Sequence, residues 1–352
     1  IFQMILLYFL TAAATAVFAV YLYYLRQSQY WSRRGVPGPR ALPFYGNIKE
    51  INNFQSPFLL KIYEWTKEFG KVYGYKEGLR NVLVTSDVEM LNEVFVKQFD
   101  AFYARRAQPL AQDADNNPRV HLFEAKGARW KRLRALVTPA LSINSLKKMQ
   151  PIMDDSAAKL ADLMEERHGN GESFNVARFT AEYSLDVICR LVIGQKESKL
   201  FENPRLLVLK AIFQQNLDNT LTHIACGCPP LGRAIRNWHA RSNKQMSKVS
   251  TNFFTEIEST VVQRMEERSR TGPPSIPVDF IDLLLDSEND EFEYRNQGEF
   301  SSRESITKAL TVDEVIAQSV IVMLGGWDTV SNALAYTLWM LSRNSEVMKR
   351  CQ

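Results

Sequence analysis

Residues Ile1 to Leu25 carry no charged side chain, and about 20 apolar residues in a helix are enough to cross the hydrocarbon core of a bilayer. A transmembrane helix is expected over residues 1–25. Tyr21, Tyr23 and Tyr24 lie at its end and Arg26, Arg33 and Arg34 follow, an aromatic belt and basic flank that would leave the body of the chain in the cytosol. A cleaved leader is the other reading, with Ala12-Ala13-Ala14 or Ala14-Thr15-Ala16 as its small-residue site. Against it, the apolar run continues to Leu25 and no basic segment precedes it. Residues 26–43 then form a basic hinge in which Gly35-Val36-Pro37-Gly38-Pro39 bars regular pairing and stiffens the spacer.

Past the hinge, Lys71 to Tyr75 and Asn81 to Thr85 are short runs rich in valine, leucine and tyrosine and predict a β-hairpin. Apolar residues at three- and four-residue spacing then predict helices over 87–98, 128–137, 145–167, 176–193, 205–217, 233–268 (with a possible break) and 312–342. The expected fold class is mostly α with a small β-sheet. Residues 107–118 and 287–305 are polar and read as loops. The segment Ile224 to Leu231 reads as an apolar loop broken by Gly-Cys-Pro-Pro, suited to touching a membrane or a partner.

With 352 residues and 45% hydrophobic side chains, the chain can bury a large core. The formal charge of +4 is too mild to indicate nucleic acid, and no second basic stripe with interleaved aromatics supports it. The four cysteines form no CxxC pair and the four histidines show no HxH or HExxH spacing, so neither a zinc site nor a disulfide scaffold is expected.

The longest predicted helix holds the chemistry. Thr311-Val312-Asp313-Glu314 fits a capping box that starts it. In its middle stands Gly325-Gly326-Trp327-Asp328-Thr329, and each interior glycine costs about 1 kcal/mol relative to alanine. Ile321, Gly325, Asp328, Thr329 and Asn332 share a face, where the missing side chains could admit something bulky beside an acid and an alcohol. The alternative is structural: the glycines permit close packing, and Thr329 bonds back to the carbonyl of Gly325. Trp130 and Arg134, four residues apart on a helix without acidic residues from Ala125 to Thr138, can aim two donors one way, as a carboxylate ligand requires. A cation–π pair on a solvated helix is the other reading.

In this order and separation the anchor, the Pro37-Gly38-Pro39 hinge followed by Leu42-Pro43-Phe44-Tyr45-Gly46-Asn47, Trp130-Lys131-Arg132-Leu133-Arg134 and Gly325 to Thr329 resemble the microsomal cytochrome P-450 monooxygenases. The resemblance runs from end to end, and its flavour is that of the animal drug-metabolising clan with the CYP-three and nematode CYP-thirteen families. It implies that residues 44–352 are the N-terminal portion of the catalytic domain. It implies a haem cofactor whose propionates are held by Trp130 and Arg134, with Arg105 as a third donor. Gly325 and Gly326 would leave room for haem and oxygen, Asp328 and Thr329 would organise protons and water, and Phe123, Ile321 and Leu324 would line a pocket for a lipophilic small molecule. The implied electron source is NADPH acting through a cytochrome reductase, with a cytochrome b-type protein as a further donor, at the endoplasmic reticulum membrane.

The resemblance also requires a cysteine thiolate on the iron in an FxxGxxxxxCxG loop beyond the last long helix, and no such loop occurs up to Gln352. Glu77/Arg80, Glu202/Arg205 and Glu267/Arg270 match ExxR but precede that helix, where the family's pair follows it. No metal ligand is therefore expected among these residues. The 352 residues alone are expected to be inactive and to leave the hairpin with an open edge. A partial sequence of the monooxygenase is the leading expectation; a truncated, membrane-anchored pseudoenzyme or interaction protein is the alternative.

Overall fold

The computed structural model describes residues 2–52, 57–102, 104–106, 114–171, 173–213, 220–242, 244–274, 277, 279–287 and 309–351. The expected loops at 107–118 and 287–305 lie largely outside these residues. In chain order the elements are α1 (Phe2–Ser28), α2 (Ile48–Ile51), α3 (Phe58–Phe69), β1 (Val72–Glu77), β2 (Arg80–Thr85), α4 (Val88–Asn92), α5 (Gly127–Val137), α6 (Ile143–Gly169), α7 (Val176–Ile193) and α8 (Arg205–Phe213). There follow α9 (Thr220–Gly227), α10 (Pro229–Ser242), α11 (Lys244–Thr271), α12 (Phe280–Leu285), α13 (Val312–Ser342) and α14 (Ser345–Cys351). The chain is mostly helical with one small antiparallel sheet, and it divides into two compact units: residues 1–112 with 215–244, and residues 113–214 with 245–352.

In the first unit, α1 runs three residues beyond the expected end and is long and apolar enough to cross a membrane, with a mean hydropathy of 2.2. Its side chains have no core to enter; Phe2, Tyr8 and Phe9 are all exposed. The hairpin pairs Glu77 with Arg80, so Gly78 and Leu79 make a two-residue turn whose first position requires the positive φ that Gly78 supplies (61°). Tyr73 and Tyr75 pack on Ile51 and Trp65 to form this unit's core.

The outer edge of β1 is covered by the hinge. The Gly74 N–H donates to Pro37 O at 2.8 Å and the Asn47 N–H to Lys76 O at 2.6 Å, while the Trp31 indole donates to Tyr75 O at 2.9 Å. Pro37, which cannot join a ladder as a donor, serves here as an acceptor. An open edge was expected on the hairpin, and among the described residues it lies on β2 alone.

Residues 224–231, expected as a loop, are instead helical on either side of Cys228. Pro229 and Pro230 fit the first turn of α10, where the N–H groups have no intrahelical acceptor and a fixed φ costs nothing. The helix expected over 233–268, with its possible break, is helical in α10 and in α11, and residue 243 between them lies outside the described residues.

The second unit is built around α7. Its inner face, with Leu185 and Cys189 fully buried, joins Val320, Met323 and Trp327 of α13, Ile257 and Val261 of α11 and Ile281 of α12 in one core. A polar network holds α6 to the other side of α7: Ser156 donates to Asp186 at 2.7 Å, and Arg190 donates to Asp155 at 2.7 Å and to Ser156 at 2.8 Å. Ser156 and Asp186 are buried with hydrogen-bond partners, which is what makes their burial tolerable, while the buried Arg190 Nε is left without one. Gly194, at φ 66°, ends α7 in the left-handed region. The start of α13 is the capping box read from the sequence: Thr311 caps the Glu314 N–H and the Glu314 carboxylate accepts from the Thr311 N–H.

Candidate functional site

The Gly325 to Thr329 stretch has two unlike sides. On one, Gly326 and Trp327 face α7. A Cβ at Gly326 would sit 2.6 Å from Ile188 Cδ1, the Trp327 indole donates to Ala181 O at 3.1 Å, and its ring is buried. The Ser184 hydroxyl lies 3.0 Å from Gly326 O and 2.6 Å from Trp327 O, so its single proton is shared between two carbonyls of the glycine-weakened helix. Gly326 is therefore a packing residue, whereas the sequence placed it beside the cofactor.

On the other side, a Cβ at Gly325 would meet nothing within 4 Å, and Thr329 and Asn332 are exposed on the same face, with Asp328 and Ile321 half-buried. The Thr329 hydroxyl donates to Gly325 O at 2.7 Å. The back bond that the structural alternative required is present, and it coexists with open space beside Gly325. Because the Thr329 proton is committed to the backbone, the hydroxyl has lone pairs left to accept from that open side. Leu324 packs against the main core as a partly buried residue, so it supports the helix rather than its open face.

On α5, Leu133 is fully buried and Arg134 exposed. The Arg134 guanidinium lies 5.7 Å from the centre of the Trp130 ring, so the cation–π pair exists and holds the two donors together. Between them, Arg132 turns inward to the Glu314 carboxylate, which is only 4% exposed, and donates to Ala309 O at 3.2 Å. The carboxylate that caps α13 thus also anchors α5. Arg105 belongs to the first unit, and Trp130 and Arg134 to the second.

Phe123 is exposed at a turn where the Glu124 and Ala125 N–H groups both donate to His121 O at 3.0 Å. That turn is tied to α13 by Gln318, a fully buried side chain. Ser184, Ile188 and Gln318 were not singled out from the sequence. Gln318 offered a signal, an amide within a run of buried apolar positions; Ser184 and Ile188 offered none.

The donor set fits part of a haem site: two adjacent donors for carboxylates and a helix face cleared of side chains beside a hydroxyl. It does not contain the iron's thiolate. Burial pushes the Cys189 thiol up to about 11 and the Cys226 thiol likewise to about 11, both far from the thiolate form a metal needs. Among the described residues no group of three or more His, Cys, Asp or Glu side chains is disposed to hold a metal ion.

Residues 36–352 match the family model for cytochrome P450. The chain is 37% identical over 349 residues to the putative cytochrome P450 CYP13A3 of Caenorhabditis elegans, covering 96% of this chain and 66% of that protein. It is 37% identical over 347 residues to the putative cytochrome P450 CYP13A2 of the same organism (97% and 67%), and 36% identical over 331 residues to its putative cytochrome P450 cyp-13B1 (92% and 64%). The chain belongs to the cytochrome P450 family, and it spans about two thirds of the length of these relatives.

Proposed function

We propose that the intact protein is a membrane-anchored haem-thiolate monooxygenase that inserts one oxygen atom of O2 into a lipophilic small molecule. The observation that carries this reading is the two-sided Gly325 to Thr329 stretch, with packing confined to one face and clearance plus a hydroxyl acceptor on the other. Bound haem would supply the iron centre at which O2 is activated. This chain's residues would do the rest. Trp130 and Arg134, with Arg105 as a third donor, would hold the propionates through charge-assisted hydrogen bonds. Gly325 would give the macrocycle clearance. Thr329 would accept a hydrogen bond from water on the open side while Asp328 passes protons to it, a relay made effective by a water-poor pocket. Ile321, Phe123 and, through its packing, Leu324 would shape the substrate cavity.

Residues 44–352 would then be part of the catalytic domain. The apolar α1 would anchor it in the endoplasmic reticulum membrane with the body in the cytosol. There NADPH-cytochrome reductase, and a cytochrome b-type protein, would deliver electrons. The test is the ferrous-carbonyl absorption spectrum of the purified intact protein. A Soret band at the thiolate-haem position is expected, and folded protein that takes up haem without that band would overturn the assignment.

A further inference from the structure

Gln318 is fully buried on α13, two turns before Gly325 and on the same face. Its amide is used at both ends. The oxygen accepts the Leu122 N–H at 2.8 Å, and the nitrogen donates to Val120 O at 3.3 Å. A primary amide presents a donor and an acceptor side by side, so it pairs with the backbone of 120–122 as a neighbouring strand would. Val120 is itself fully buried, and with Leu122, Ala125 and Leu133 it makes a small separate cluster.

The strap fixes a short piece of chain. Immediately after it comes the turn at His121 to Ala125 with Phe123 exposed at its tip. Nothing regular in the backbone holds this segment between residue 119 and the start of α5. Its beginning is held by a network: Arg119 donates to Asp313 at 2.7 Å and to both carboxylate oxygens of Glu258, and Arg129 donates to Asn117 O at 2.8 Å and Pro118 O at 2.9 Å. Next to the turn itself, the buried amide ties Val120 and Leu122 to α13.

We infer that Gln318 is a positioning residue for substrate selection: by pairing with Val120 and Leu122 it holds Phe123 against the site helix, and so sets how much of a lipophilic ligand the cavity admits. It touches no substrate itself. The inference rests on the reading of Phe123 as a pocket residue in a haem enzyme.

Two measurements on the intact protein separate that reading from the strap. The first needs no haem: hydrogen exchange at the Leu122 amide. Gln318→Leu removes both hydrogen bonds at similar volume, and exchange at Leu122 should rise about tenfold or more while amides at Gly325 to Thr329 stay protected. Gln318→Glu gives the decisive readout. A protonated carboxyl reproduces the donor and acceptor of the amide, whereas the carboxylate offers Val120 O only repulsion. At low pH this variant should match the parent protein; at high pH its carboxylate still accepts the Leu122 N–H but loses and repels Val120 O, so protection at Leu122 should fall toward that of Gln318→Leu without reaching it, a profile that loss of packing alone does not produce.

The second measurement uses the haem-loaded protein with imidazole and phenylimidazole as probes, both followed by the spectral change of the haem. The ratio of their dissociation constants isolates the phenyl group. Gln318→Leu and Phe123→Ala should each shift that ratio by about fivefold or more, as expected for contacts of this size, with haem content unchanged. An unchanged Leu122 exchange rate, or a pH-independent Gln318→Glu variant, would overturn the strap. A faithful strap with an unmoved probe ratio would overturn its role in selection. Failure to take up haem at all would count against the proposed function and leave the exchange result to decide the strap.

Discussion

Gly325 and Gly326 are adjacent, identical in chemistry, and opposite in use. Gly326 lies against Ile188, with Trp327 buried beside it and Ser184 bonded to the carbonyls of both. Gly325 faces open space, with the Thr329 hydroxyl bonded to its carbonyl. One glycine lets two helices approach and the other keeps a helix face clear. The difference teaches that a glycine pair in a helix can serve packing and chemistry at once, because successive residues turn by about 100° and so address different neighbours.

The largest test of this contrast is on the packed side. Trp327→Ala should cost about 3–5 kcal/mol of stability, since it empties a buried aromatic site and leaves Ala181 O without its donor. Chemical denaturation of the intact protein measures it. A loss below about 1 kcal/mol would mean that α13 and α7 are not held there.

Next come the two glycines compared directly. Gly326→Val should lose about 2–3 kcal/mol by forcing a branched side chain onto Ile188, and shortening Ile188 to alanine in the same protein should return part of the loss. Gly325→Ala should instead gain up to about 1 kcal/mol from helix propensity. If the two substitutions have equal effects on thermal unfolding, the faces are not distinct.

Ser184→Ala is expected to cost about 1 kcal/mol, the worth of one hydrogen bond, and to raise amide exchange near Ala333 less than near Val330. Uniform protection would show that its shared proton does not support the weakened turn.

The smallest effect on stability belongs to the open side. Thr329→Ala removes an exposed hydroxyl, and unfolding should move by less than about 0.5 kcal/mol. Its chemical effect should be larger: in the reductase-supported reaction, peroxide released per NADPH consumed should rise relative to product. Unchanged coupling removes Thr329 from proton delivery.

Much of this arrangement was legible beforehand. The capping box at Thr311 to Glu314 and the limits of α7 at Val176 and Ile193 agree with the periodicity, because capping and amphipathic spacing are local and leave their mark in neighbouring residues. The hairpin was legible for the same reason. The helices around Cys228 were misread, since two prolines signal a break and equally suit a first turn. Arg132 stood in the sequence as one more basic residue between Trp130 and Arg134, yet it is the residue that joins α5 to the cap of α13.

By itself the sequence determined where the long apolar helices run, that glycines, an acid and an alcohol interrupt one of them, and which family carries that order of motifs. Those properties depend on residue type and spacing along a single helix or strand. Only the tertiary structure decided that Gly326 packs while Gly325 stays clear, that Ser184 supports the interrupted turn, and that Gln318 holds the segment leading to Phe123. Each is a contact across more than a hundred residues, and such contacts follow from where other helices come to rest, which no local pattern encodes.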